Sequence, residues 1–480
     1  MKYLAASFLM AVSTGALAQG VPVDLKYSFG PKPLAGYTQV KPDQAYSKES
    51  GFGFDLGSKI KVIDRGDPDP VKAGFTTADN GRGFFFSTKL SPGAYRVTMT
   101  LGDAKEASTT TVKSECRRLM FEGLQTEPGK LETRSFLVHV RVPAVPAENG
   151  GGAVRLKQRE SDPVLFVRWD PANKDPAAQI PFSELDWDEK LTLAFTDAKP
   201  ALCSLEIVPA DKHTTVYLIG DSTMTDQMME PWAAWGQMFP RFFKEPVLIA
   251  NYAECGETTA SFIGEKRWPK VMSEIHEGDY VLMQFGINDR SIALDRFKQY
   301  FVQFIDETRA KKANPVLVTS QNLKRLDAMG KGVQTLGGYP DAMKEVAKDK
   351  NVPLIDLNEM SMRFYEAIGP GPDKLDKLFS DGTHHSDFGA YELAKCVVQG
   401  VIDQKLPIAA SVIADWKTFD PAKPDPLAAF HMPVDPQWDP AFDSPTKTSP
   451  AGLGVMAGAA PGGARGRAPA TPASTPARGR

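Results

Sequence analysis

The chain is poor in cysteine, with four in 480 residues, at positions 116, 203, 255 and 396. No two of them stand at a C-x-x-C or zinc-ligand spacing, which excludes a zinc module and a dithiol redox centre. Cys116 and Cys203 fall in the same half of the chain, leaving a disulfide between them or buried free thiols as the two readings. An excess of charge is missing too: Lys plus Arg number 56 and Asp plus Glu 59, a formal net charge of −3. Nucleic-acid binders carry a strong basic excess, so that class is excluded. Past the N-terminus, no apolar run approaches the ~20 residues needed to span a bilayer. Apolar residues make up 42% and charged residues 24%, a globular composition with room for two domains and a tail.

The N-terminus stands apart. Met1-Lys2 forms a small positive region, Leu4 to Val12 is mostly apolar, and Ala16-Leu17-Ala18 is a small-x-small cleavage pattern before Gln19. Residues 1–18 therefore read as a signal peptide, placing the mature protein in the periplasm or outside the cell. The lack of a Cys after the cut argues against a lipoprotein.

Residues 22–210 read as all-β. Strand patterns recur at 84–87, 94–101, 136–142, 154–156 and 191–195, with Gly and Pro between them and no long helical period. Short strands with turn signals indicate a β-sandwich, jelly-roll-like, that either binds sugar or serves as a packing module. His139 lies inside a strand pattern and reads as structural.

From residue 213 to 410 the pattern changes. Apolar strands at 216–219, 247–251, 280–285, 315–319 and 353–357 alternate with helical periods at 295–312, 344–350 and 387–402. The first helix carries Phe297, Tyr300, Phe301, Phe304, Ile305 and Thr308 as one stripe, with Asp295 at the cap position. Near-continuous apolar strands separated by helices predict a parallel five-stranded sheet covered on both faces, a three-layer α/β/α domain. Residues 411–443 form a Pro- and Asp-rich extension that Trp416, Phe419, Phe430, Trp438 and Phe442 could pin to the body. Residues 444–480 hold Pro, Ala, Gly, Thr and Arg with no acidic residue, a composition that predicts disorder.

Chemistry concentrates at the predicted strand ends. Val216–Ile219 runs into Gly220-Asp221-Ser222, and a serine between a central strand and a helix is well placed for catalysis. Gly256 follows the second strand and can bring a backbone N–H close to a ligand. Asn288-Asp289 follows the third. Asp381-Gly-Thr-His384 precedes the last helix. A serine hydroxyl needs a base to become a nucleophile. His384 can be that base, with Asp381 to orient it, while Ser222 N–H, Gly256 N–H and the Asn288 amide can hold an oxyanion.

These blocks resemble those of the SGNH (GDSL-type) hydrolases. Within that superfamily the chain is similar to rhamnogalacturonan acetylesterases, carbohydrate esterase family twelve. Supporting stretches are Trp235-Gly-Gln237, Gly278-Asp-Tyr280, Gln284-Phe-Gly286, Pro315-Val-Leu-Val-Thr319 and Leu354-Ile-Asp-Leu357. The resemblance covers residues 213–405 and extends more loosely to the β half through Tyr27-Ser-Phe29-Gly30 and Gly51-Phe-Gly53-Phe54. It implies a serine esterase, free of metal and cofactor, that removes acetyl groups from an acetylated pectic polysaccharide or oligosaccharide. Ser222, Asp381 and His384 would be the triad, and Ser222, Gly256 and Asn288 the oxyanion donors. Departures occur at Cys255 and Glu257, in the short loop after Asp289, and at Ser320-Gln-Asn-Leu-Lys-Arg325. These line the cleft rim and leave the polysaccharide open. His385 reads as a surface histidine.

Two alternatives stand beside the acetylesterase. A lipase or thioesterase of the same superfamily needs a long acyl channel. Trp232, Trp235, Met238 and Phe239 offer apolar surface for one, but their helical spacing reads as core or cleft wall. A non-catalytic carbohydrate-binding protein is disfavoured by the complete triad set. A histidine base further predicts a rate that rises with pH through ~6.5, where an ordinary imidazole loses its proton.

Overall fold

A computed structural model of the chain describes residues 24–79, 81, 83–156, 185–227, 230–369 and 371–435. The segment read as a signal peptide, Trp438, Phe442 and the C-terminal tail lie outside the described residues.

Among the described residues, twelve strands form the first half: β1 Leu25–Ser28, β2 Thr38–Gln39, β3 Phe52–Asp55, β4 Ile60–Asp64, β5 Gly74–Ala78, β6 Gly83–Lys89, β7 Gly93–Gly102, β8 Ser108–Ser114, β9 Arg118–Thr126, β10 Leu131–Val140, β11 Lys190–Lys199 and β12 Leu202–Pro209. One sheet runs β10-β7-β12-β1-β2, with β5 joining β12 to β4, and the second runs β3-β6-β11-β8-β9. Alternating residues of both sheets, among them Val97, Met99 and Leu205 from one and Phe84, Phe86 and Phe195 from the other, fill one core. This is a β-sandwich. The expected strand at 154–156 is absent: Ala153 makes an isolated bridge to Ala144, and Val154 instead packs against the second domain. Cys116 and Cys203 form no disulfide and sit in separate apolar clusters, so of the two readings the buried thiols hold.

The described residues of the second half are built on five parallel strands: β13 Thr214–Gly220, β14 Val247–Asn251, β15 Tyr280–Gln284, β16 Asn314–Val318 and β17 Leu354–Ile355. Their order is β14-β13-β15-β16-β17, and all pairings are parallel. The helices are α1 Trp235–Met238, α2 Thr259–Gly264, α3 Arg267–Glu274, α4 Leu294–Ala310, α5 Tyr339–Lys350, α6 Leu357–Ile368, α7 Pro372–Leu375 and α8 Asp387–Asp403. Val216 and Leu218 of β13 face α1, α6 and α8, whereas Tyr217 and Ile219 face α2 to α5. Period-two alternation on one strand thus feeds both cores of a three-layer sandwich. The α4 stripe is buried as expected at Phe297, Phe301, Phe304, Ile305 and Thr308.

Two local expectations change. Ala293 takes the cap position of α4, and Asp295 lies in its first turn. The strand expected over 353–357 is two residues long, because Asp356 accepts from Glu359 N and caps α6, a helix the sequence reading missed.

The chain reverses direction at β13. It adds β14 on one side and then β15 on the other, so a crevice opens beyond the carboxyl end of β13, where α/β sheets bind ligands. After α8 the chain runs back over the body. Trp416 packs edge-on against Phe242, and Phe430 contacts Phe388 and Tyr391. Asp435 then reaches the sandwich at Lys113.

Candidate active site

The turn after β13 is held by a chain of side chains. Trp235 Nε1 donates to Gln284 Oε1 (2.7 Å), Gln284 Nε2 donates to Thr223 Oγ1 (2.8 Å), and Thr223 donates through N–H and hydroxyl to Asp221 Oδ1 (3.0 and 2.7 Å). Burial pushes the Asp221 carboxyl up to about 6 against the lowering effect of the Thr223 bonds. A Cβ on Gly220 would stand 2.7 Å from the Gln284 carbonyl oxygen, so only glycine lets β13 end this close to β15. These constraints fix Ser222, which is 5% exposed.

Ser222 Oγ lies 2.7 Å from His384 Nε2, and His384 Nδ1 lies 2.8 Å from Asp381 Oδ2. Asp381 Oδ1 accepts the N–H groups of Thr383 and His384 (2.7 Å each), and Oδ2 also accepts the Trp232 indole N–H at 3.0 Å. Burial would raise the Asp381 carboxyl, but the His384 bond and charge and the two amides outweigh it and hold it well below the usual carboxylate range. A hydroxyl bonded to an imidazole that is bonded to a carboxylate can pass its proton to the ring while the carboxylate stabilises the resulting charge.

Two further loops adjoin the β13 turn, where Glu254 N–H donates to the Gly220 carbonyl at 3.1 Å. Gly256 has φ +73°, a left-handed conformation that glycine adopts freely, in the loop after β14. Asn288 Nδ2 donates to the Glu257 carbonyl at 3.0 Å, using one of the two amide hydrogens. Asp289 staples the same loops. Its Oδ1 accepts Thr259 N–H and hydroxyl (2.8 and 2.7 Å), and its Oδ2 accepts Gly286 N–H (3.0 Å). Burial raises the Asp289 carboxyl, and those bonds oppose the rise.

All five sequence-predicted site residues therefore sit on loops at the carboxyl end of the sheet. Trp232 was missed as a partner of Asp381, and Asp289 as a staple. Trp235, Met238 and Phe239 are core residues, 0%, 1% and 0% exposed, and build no acyl channel. His385 is a correction. It is 1% exposed, packs against Phe379 and Tyr365, and has Nε2 2.8 Å from the Tyr365 hydroxyl. Its sequence neighbours are polar, so nothing local signalled burial. The alternation of Phe379 and His385 across the loop emerges only in three dimensions. Among the described residues, no group of three or more His, Cys, Asp or Glu could hold a metal ion.

Residues 218–390 match the GDSL-like lipase/acylhydrolase family, and residues 25–118 match the β-agarase/YXIM esterase-like, galactose-binding domain-like family. The chain is 39% identical over 224 residues to the rhamnogalacturonan acetylesterase RhgT of Bacillus subtilis, a match covering 42% of this chain and 96% of that protein. It is 35% identical over 229 residues to a rhamnogalacturonan acetylesterase of Emericella nidulans, covering 42% of this chain and 90% of that one. The uncharacterized esterase YxiM of B. subtilis is 25% identical over 422 residues and spans both halves, 83% of this chain and 97% of its own length.

Proposed function

The chain belongs to the GDSL-like lipase/acylhydrolase family, and on that premise we propose that it is an exported serine esterase removing O-acetyl groups from plant cell-wall polysaccharide of the rhamnogalacturonan or pectin type. The observation that carries the reading is the continuous relay from Ser222 Oγ through His384 to Asp381, at 2.7 and 2.8 Å. Relatives named as rhamnogalacturonan acetylesterases support the substrate class. The signal-like segment over residues 1–18 supports export.

In this mechanism Ser222 Oγ attacks the acetyl carbonyl carbon and its proton passes to His384 Nε2. Asp381 holds the ring by accepting from Nδ1–H and stabilises the imidazolium. The carbonyl oxygen becomes an oxyanion that Ser222 N–H, Gly256 N–H and the remaining Asn288 amide hydrogen stabilise. Collapse breaks the ester C–O bond, and His384 gives the proton to the departing sugar oxygen, which leaves as a hydroxyl. Water then attacks acetyl-Ser222 with His384 as base, and acetate leaves as the serine is restored.

Hydrolysis of p-nitrophenyl acetate by the purified chain, compared with Ser222→Ala, tests the chemistry. The variant should be inactive, and full activity in it would refute the triad. Acetate release from a panel of acetylated pectin, rhamnogalacturonan and xylan tests the substrate. Comparison of acetyl with octanoyl esters separates this reading from a lipase or thioesterase.

A further inference from the structure

The β-sandwich reaches the site through the turn joining β8 to β9. Glu115 and Arg117 in that turn have φ of +52° and +60°, left-handed conformations that non-glycine residues hold only where their surroundings impose them. Arg117 is 3% exposed and its fork is fully engaged. Nε donates to Asp435 Oδ2 at 2.7 Å, and Nη1 donates to the carbonyl oxygens of Trp232 (2.9 Å) and Gln227 (3.3 Å). Nη2 reaches Asp387 Oδ1 and Glu230 Oε1, each at 3.4 Å. In return, Gln237 Nε2 donates to the Arg117 carbonyl at 3.0 Å.

Apart from Asp435, on the returning C-terminal segment, the partners of the guanidinium belong to segments that carry the site. Residues 227, 230 and 232 lie on the loop that follows Ser222, and Asp387 opens α8 three residues after His384. Trp232 itself donates to Asp381 Oδ2, and the next residue, Ala233, donates its N–H to the His385 carbonyl at 2.8 Å. Arg118 adds a second tie, donating from Nε and Nη2 to Asp226 Oδ2 (3.0 and 2.7 Å), whose Oδ1 accepts from Asn251 at the end of β14.

We infer that Arg117 of the β-sandwich is a positioning residue for the esterase site, acting through Trp232 to set the carboxylate of Asp381 against His384. The sandwich is then part of the catalytic construction. No shorter side chain does the same job. Lysine keeps the charge, but a single ammonium cannot span Asp435 and the Trp232 carbonyl as a planar fork does. The inference rests on the serine-esterase reading for its kinetic consequences and on hydrogen-bond geometry alone for its structural ones.

The test uses the full chain with Arg117→Lys, Trp232→Phe and the double variant, assayed on p-nitrophenyl acetate well below their melting temperatures. Arg117→Lys preserves the buried charge balance, so folding is retained. Each single variant should lower kcat ~10-fold with KM within about twofold, and the double variant should fall no further, because both act on one contact. Multiplying losses in the double variant, or a change in KM alone, would overturn the inference. The far-downfield proton resonance of His384 Nδ1–H gives a readout that needs no turnover. It should shift alike in both single variants, and an unmoved resonance in Arg117→Lys would also overturn the inference. A wild type that shows this shift pattern but hydrolyses no ester would count against the esterase reading while leaving the positioning role standing.

Discussion

The two ends of the parallel sheet are built differently. At the amino end, a cavity of about 490 Å³ is lined by residues such as Tyr280, Arg309, Lys312, Asn314, Val352 and Leu406. The polar groups around it tie neighbouring strand starts and loops. Asp279 accepts Thr215 N–H and His276 N–H (2.8 Å each), and Lys312 pairs with the exposed Glu277 at 2.8 Å. At the carboxyl end, the polar groups Ser222, Asn251, Gln284 and Asp289 are all buried, and each is bonded to a different element. The first end holds a cavity, and the second a cluster of buried polar side chains bonded across several elements. Chemistry requires groups held in one geometry, which the Ser222–His384–Asp381 relay at the second end supplies.

Substitutions should show this contrast as a descending series. Asp381→Asn removes the acceptor that fixes His384 and should lower kcat by ~10⁴ with the fold intact. Retained activity would mean that the imidazole is oriented by something else. Next comes Asn288→Ala, expected to cost ~10²–10³ in kcat through loss of one oxyanion donor. A change confined to KM would reassign the amide to ground-state binding.

His385 sharpens the comparison within one loop. Its neighbour His384 faces Ser222, while burial, reinforced by the His384 charge and opposed by Asp381, pushes the His385 imidazole down to about 3. An unfolded histidine titrates near ~6.5, so below that pH the unfolded chain binds a proton that the folded chain refuses. Stability is therefore undiminished above ~6.5 and is lost as pH falls toward the folded value, by about 1.4 kcal/mol per pH unit. Urea unfolding at pH 7 and pH 5 should show wild type losing roughly 2 kcal/mol more than His385→Asn over that interval. Equal losses would place a charged imidazole in the fold. The smallest effect belongs to the amino end, where Lys312→Ala should leave kcat/KM within about twofold, as for an exposed substitution distant from the chemistry. A large loss there would undo the contrast.

How much of this was legible depended on the range of the forces involved. The strands at 247–251 and 280–284 could be read because near-continuous apolar runs arise from burial on both sheet faces. The α4 stripe could be read because it repeats at the helical period. Ser222, Gly256 and Asn288 were singled out because each follows a strand that could be recognised locally, and Asp381 and His384 because they precede a recognisable helix. Helix α6 was missed because a single cap, Asp356, decides where strand gives way to helix. The roles of Trp232, Asp289 and Arg117 were not legible, since their partners lie 149, 30 and up to 318 residues away in sequence. The burial of His385 depends likewise on Tyr365 and Phe379, brought in by other elements.

The central claim is that Ser222 carries the acyl group between two half-reactions. Rapid acid quench of the full chain during p-nitrophenyl acetate turnover, followed by intact-mass and peptide mapping, tests it directly. One added acetyl group is expected, located on Ser222 and absent from Ser222→Ala. Turnover with no acetylated enzyme at any quench time, or acetyl on another residue that turns over at the steady-state rate, would contradict it.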